Sequence, residues 1–285
     1  MIYISNNIFL TSFSGDINPD NPIIGYNSVL RPQDFTAPAY TPIRSAANAW
    51  TPDTATVFEG ASLPGTGSQY LVLHNSTLAV VDYIGIARHN FFSTGRAYKI
   101  QESSDGVNWT DITAAKIPPN DGSILEYFDA RSTQYFRIDL DDLSGRAPII
   151  GHVKLGKALI LQRRIYAGHS PTLLSSMVKK TTYGSESGQY LGQVVHRAYH
   201  KTSLEQENNS PAFVRENIVP FINHVNGHAV VEDTAVSTFF FAWRPSTYPQ
   251  EIVYGWTNDN IQPQNTAGDG LGGRMSWGMS IEAIA

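Results

Sequence analysis

The chain has 285 residues and a formal net charge of −5, from 20 Lys+Arg and 25 Asp+Glu, with charged residues only 16% of the total. That balance excludes a protein that grips nucleic acid electrostatically. The absence of cysteine excludes disulfides, zinc–thiolate sites and cysteine nucleophiles, and 41% hydrophobic with 11% aromatic residues excludes a disordered chain. The length allows one large domain or two ordinary ones. Low charge with many aromatics fits a β-rich globular protein or a subunit that hides its surface in an assembly.

The start, Met1 to Asn7, lacks a basic region followed by an apolar one, so no signal peptide is expected, and no window is apolar enough to span a membrane. Residues 1–28 read as a β arm (Ile2, Ile4, Ile8, Leu10) and a loop rich in Gly, Asn and Pro. The arm either completes the sheet of the C-terminal domain or reaches a neighbouring subunit.

Beyond it the dominant period is two. Tyr98 and Ile100 alternate with Lys99 and Gln101; Phe136, Ile138 and Leu140 share one face. Near the end Met275, Trp277, Met279 and Ile281 face one way. These are half-buried strands. The run Ser237 to Trp243 is apolar on both faces, as is Glu251 to Trp256, which suits strands covered on both sides. Turn pairs such as Asp105-Gly106, Asn120-Asp121-Gly122, Ser144-Gly145, Asn226-Gly227 and Asp269-Gly270 punctuate the runs. Many short strands with such turns argue for a sandwich or jelly roll.

One helix is expected, capped by Ser210, with Pro211 at its first position and Gly227 past its end. Phe213, Phe221 and Val225 form its buried stripe, and Pro220 kinks or splits it. The fold class is therefore mainly all-β: a sandwich or jelly roll over residues 29–165 and a second β-rich domain over 166–285 with one short kinked helix.

Catalytic patterns are weak. His196 and His200 lie on an extended segment, where four residues span about 13 Å, too far to share a zinc ion. Gly184-Ser185-Glu186-Ser187-Gly188 has a glutamate where a nucleophile elbow needs serine. Glu205, Glu207, Glu216, Glu232 and Asp233 are carboxylates whose spacing shows no convergence. No catalytic residue, metal site or cofactor is expected.

The run Tyr98-Lys99-Ile100-Gln101-Glu102-Ser103-Ser104-Asp105-Gly106-Val107-Asn108-Trp109-Thr110 is a strand, a Ser-Asp-Gly turn and a returning strand that opens on an aromatic. It resembles the signature of the discoidin (coagulation factor 5/8 C-type) jelly roll. Ser45 to Phe58, Tyr70 to Leu73, Tyr83 to Arg88, Ala130 to Ile138 and Ile150 to Leu155 are similar to further motifs of that family in the same order. The resemblance covers about residues 30–160 and implies a binding or scaffolding module without catalysis.

Relatives bind glycans, phospholipid heads or proteins through loops at one end of the barrel. Here Arg88, His89, Asn90, Phe91 and Phe92 offer donors for sugar hydroxyls beside flat apolar rings, and Arg88 matches a position often basic in carbohydrate-binding relatives. The alternative is that Phe91 and Phe92 pack against a neighbouring subunit or the barrel mouth. Of the family's calcium loop only Asp53 and Thr56 match, which argues against a bound ion. Trp109 is expected to pack under its hairpin.

Thr238 to Pro245, Tyr248 to Trp256 and Met275 to Ala283 resemble the C-terminal part of minor tail proteins of tailed bacteriophages. The resemblance implies a structural, non-enzymatic distal-tail or other minor tail protein in the virion, set in a symmetric ring. Its partners would be other tail proteins, copies of itself and a host-surface glycan. The alternative is a stand-alone bacterial carbohydrate-binding protein.

Overall fold

Phe136, Ile138 and Leu140 are fully buried, as a period of two demands of a strand with one face on a core. The computed structural model that places them describes residues 1–4, 20–37, 41–61, 69–141, 146–165, 169–227, 237–267 and 273–284. The expected turns Ser144-Gly145 and Asp269-Gly270, the carboxylates Glu232 and Asp233, and Ile8 and Leu10 of the arm lie outside the described residues.

The strands of the first unit are β1 (Ile2–Ile4), β2 (Ile23–Gly25), β3 (Phe35–Thr36), β4 (Phe58–Glu59), β5 (Gln69–His74), β6 (Val81–His89), β7 (Tyr98–Ser103), β8 (Thr110–Asp111), β9 (Ile124–Arg131), β10 (Tyr135–Leu140) and β11 (Ile149–Gly156). Two five-stranded sheets, β1-β9-β6-β11-β4 and β3-β5-β10-β7-β8, use all of these but β2. From β4 to β11 the chain alternates between them except at the β7–β8 hairpin, which is jelly-roll wiring. Leu71, Leu73, Ile100 and Phe136 of one sheet meet Ile84, Ile86, Phe128 and Val153 of the other in a single core.

The second unit adds β12 (Leu159–Ile160), β13 (Ser176–Gly184), β14 (Tyr190–Asn209), β15 (Thr238–Ala242), β16 (Ile252–Trp256), β17 (Gln264–Ala267) and β18 (Arg274–Ile284). Its sheet runs β12-β2-β15-β16-β18-β14-β13, with β17 beside β18. The N-terminal segment therefore serves both units: β2 pairs with β15, whereas β1 pairs in parallel with β9 of the sandwich. The chain crosses between units at Lys157 and Ala158, because Leu159–Ile160 already pairs with β2.

The helix occupies residues 211–225. Ser210 Oγ accepts the Phe213 N–H at 3.2 Å, and Pro211 stands at the start, where its missing N–H costs nothing. Pro220 cannot donate to the preceding turn. A π-helical stretch at Val214–Ile218 separates α1 (Pro211–Phe213) from α2 (Val219–Val225) and absorbs the mismatch without a break. Gly227 closes the end in the left-handed region, at φ 69°.

Both faces of β15 are covered. Phe239 and Phe241 join Phe213, Ile218, Phe221 and Trp277 in the core under the helix. Phe240 and Ala242 face the other way and pack with Tyr83, Ala87, Leu125 and Tyr127 on the outer face of the sandwich. Gly85 makes that contact possible, since a Cβ there would lie 2.3 Å from the Phe240 ring. The described residues thus form four layers: two sandwich sheets, the third sheet and the helix.

Candidate functional site

The loop after β6 is the first candidate. Arg88 adopts φ 51°, a left-handed conformation rare for a side chain with a Cβ. Its guanidinium lies outside and donates to the Thr54 carbonyl. His89 turns in: Nδ1 accepts the Phe91 N–H at 3.2 Å, and its ring stacks on Phe91 at 4.4 Å. Burial pushes its pKa down to about 4, so the ring is neutral.

Asn90 brackets the start of β11, accepting the Ile149 N–H and donating to the Ala147 carbonyl, each at 2.9 Å. The Phe91 ring is fully buried between His89 and Tyr98. Phe92 is 53% exposed, while its N–H and that of Ser93 donate to the Asp121 carboxylate. Of the five residues expected to meet a sugar, then, His89, Asn90 and Phe91 build the loop from within, because core contacts and backbone partners claim their side chains. Only Arg88 and Phe92 are presented to solvent, so the loop has one exposed ring and not two.

Other sequence candidates are also used internally. Asp53 accepts the Ala55 N–H at 2.7 Å and the Thr56 hydroxyl at 3.0 Å. Trp109 stacks on the Arg137 guanidinium at 4.3 Å, and Arg137 in turn covers Tyr70 at 4.7 Å. Glu126, completely buried in the sandwich, binds Lys116 Nζ at 2.9 Å and the Tyr98 hydroxyl; burial pushes its carboxyl pKa up against both partners.

The second candidate gave no sequence signal. β13 and the first half of β14 form a two-stranded ribbon that leaves the third sheet, and every residue of β13 is exposed. At about 3.3 Å per residue the ribbon projects roughly 30 Å. Its turn is the Gly184–Gly188 segment, where Ser185 Oγ accepts the Gln189 N–H and Gly188 takes φ 81°. Glu186 is therefore a turn residue at a ribbon tip. His196 Nε2 bonds Thr181 Oγ1 across the ribbon at 2.8 Å. Met177, Val178, Tyr183, Val194 and Val195 are about half exposed, and Tyr190 and Leu191 are 68% and 65% exposed. Cross-strand partners share a face, so Thr181 and Val194 lie on one side and Lys180 and Val195 on the other. The ribbon thus carries apolar side chains on both faces and meets no cover among the described residues.

At the ribbon's root the third sheet bears a cleft of about 260 Å³ lined by Glu205, Glu207, Gln262, Gln264, Ser276 and Gly278, with Gln206 and Trp277. Glu205 stands opposite Gly278, and Gln264 opposite Ser276. Among the described residues, no lysine or arginine lines it.

No protein-family model matches the sequence, and no curated protein matches it. Among solved structures it is similar to a pectin-binding carbohydrate-binding module at 17% identity, over 45% of this chain and 91% of that one, with a TM-score of 0.34. CBM32 of AlyQ, in complex with 4,5-unsaturated mannuronic acid, is 20% identical over 46% and 96%, with a TM-score of 0.35. Chitosan-binding module 1 from a chitosanase/glucanase of Paenibacillus sp. IK-5 is 18% identical over 46% and 98%, with a TM-score of 0.36. Likeness at this level assigns this chain no ligand.

Proposed function

We propose that the protein is a non-catalytic assembly subunit. Its C-terminal sheet and ribbon join it to neighbouring copies, and its sandwich is the module presented outward. This is the role of a distal-tail or other minor tail component in a bacteriophage virion, set in a symmetric ring. The carrying observation is the ribbon, whose apolar side chains stand in solvent on both faces. A two-stranded ribbon is marginal by itself in water, and an uncovered apolar edge invites pairing with another chain. Many sandwiches on one ring would turn weak single contacts with a surface into strong adhesion.

Mass photometry and negative-stain microscopy of the purified protein test this reading. Ring-sized oligomers are expected; a monodisperse monomer at high concentration overturns it. The second reading is a stand-alone carbohydrate-binding protein, favoured by the exposed Phe92 ring and Arg88 guanidinium on one loop. It requires a monomer with saturable sugar binding that Arg88→Ala or Phe92→Ala abolishes.

A further inference from the structure

We infer that the ribbon of one copy seats on the cleft beside Glu205 and Glu207 of the next copy, with Lys180 meeting those carboxylates. This rests on the assembly reading above and names the surface that receives the ribbon.

Charge is the first argument. Residues 176–201 hold Lys179, Lys180, Arg197 and Lys201 against a single acid, Glu186, a net +3, which leaves −8 on the rest of a chain whose total is −5. The lysines at 179 and 180 are exposed, on opposite sides of the ribbon. Glu205 and Glu207 are exposed as well, and neither forms an ion pair among the described residues. Among the described residues, every other group that lines their cleft is neutral. Gly278 keeps its floor low: a Cβ there would lie 3.0 Å from the Leu204 carbonyl and 3.3 Å from Glu205 Cγ.

Reach is the second argument. The ribbon and the cleft wall belong to one strand, β14. Lys180 pairs with Val195, ten residues from Glu205, which is roughly 33 Å along an extended chain. Within one copy the two groups are held apart along one continuous strand, so a ribbon that reaches the cleft comes from another molecule. Donor and acceptor surfaces then differ, and the contact repeats head to tail, the kind that closes rings or builds filaments. The apolar side chains supply the area buried, and the lysine–glutamate pairs set the register.

The chain has no cysteine, which permits a clean test. The double variant Lys180→Cys with Glu207→Cys, oxidised mildly, is expected to give a ladder of disulfide-linked multimers on a denaturing gel. A bridge within one copy is ruled out, because a disulfide needs Cα atoms within about 7 Å. A parallel test reverses charge. Lys180→Glu, or Glu205→Lys with Glu207→Lys, should weaken association at least tenfold at low salt, and combining Lys180→Glu with Glu207→Lys should restore it. Circular dichroism melts confirm that each variant is folded. No ladder, or association indifferent to both reversals while the wild type still forms oligomers, overturns this docking and leaves the assembly reading standing. A wild type that stays monomeric defeats both.

Discussion

Two strands of the same sheet make an instructive pair. β15 and β13 both place apolar side chains on both faces. In β15 all five residues are buried, with the helix on one side and the sandwich on the other. In β13 all nine are exposed. A strand that is apolar on both faces asks for two covers. For β15 the chain supplies both, and for β13 it supplies neither among the described residues. Apolar content alone does not separate a core strand from an exposed one; what the rest of the chain brings to it does.

The largest expected effect tests the covered strand. Phe240→Ala removes the ring that lies on Gly85 and leaves a cavity between units, so stability should fall by about 3–5 kcal/mol in urea unfolding. A loss below about 1 kcal/mol would mean the sandwich is not a true cover.

Acid sharpens the same point. His152 is buried at this junction, its ring tilted against that of Tyr254 at 5.3 Å, and burial, aided by Lys154, pushes its pKa down to about 3. Burial likewise lowers His224 to about 3 and His89 to about 4. Unfolded, each has a pKa near 6.5 and binds a proton that the folded form refuses. Stability is therefore whole above about pH 6.5 and is lost as pH falls toward 4, by roughly 1.4 kcal/mol per pH unit for each histidine. Asp82, raised by burial to about 6, works in the opposite sense: it adds stability at low pH that is lost as pH rises through 6. His152→Gln should flatten the slope by one histidine's share, read from denaturation midpoints at pH 6 and 4.5. An unchanged slope would mean that His152 is protonated in the folded protein.

The smallest effect on folding belongs to the exposed strand pair. Leu191→Ser with Val194→Thr should change stability by no more than about 0.5 kcal/mol while reducing self-association. A loss above about 1 kcal/mol would show that the ribbon packs on its own body, and the contrast with β15 would collapse.

Much of the fold was legible in the sequence because its signals are local. The alternation in Phe136, Ile138 and Leu140 and in Trp277, Met279 and Ile281 reads directly as buried faces. Two-sided apolarity in Thr238–Ala242 correctly indicated a strand covered twice. Ser210, Pro211 and Gly227 marked the helix, and a π-helical stretch divides it into two short α-helical pieces. The site was less legible. A loop holding His89, Asn90 and Phe91 has the right residue types for a sugar, but composition does not say which side of the backbone a ring takes. The ribbon was missed for the complementary reason: Val194 and Val195 look like core residues until one sees that nothing lies above them.

The joint between the units also bears on mechanics. Lys154 Nζ, buried, donates to the Tyr26 and Thr238 carbonyls, and Gly156 sits so close to Asn27 that a Cβ would lie 2.1 Å from its carbonyl oxygen. Only Lys157 and Ala158 separate β11 from β12. There is no slack here for a hinge. A tug on the sandwich by anything it holds would pass as shear across a broad packed face into the third sheet, instead of peeling strands one at a time. The sandwich would then keep a fixed heading relative to the sheet beneath it, like a cleat bolted to a deck.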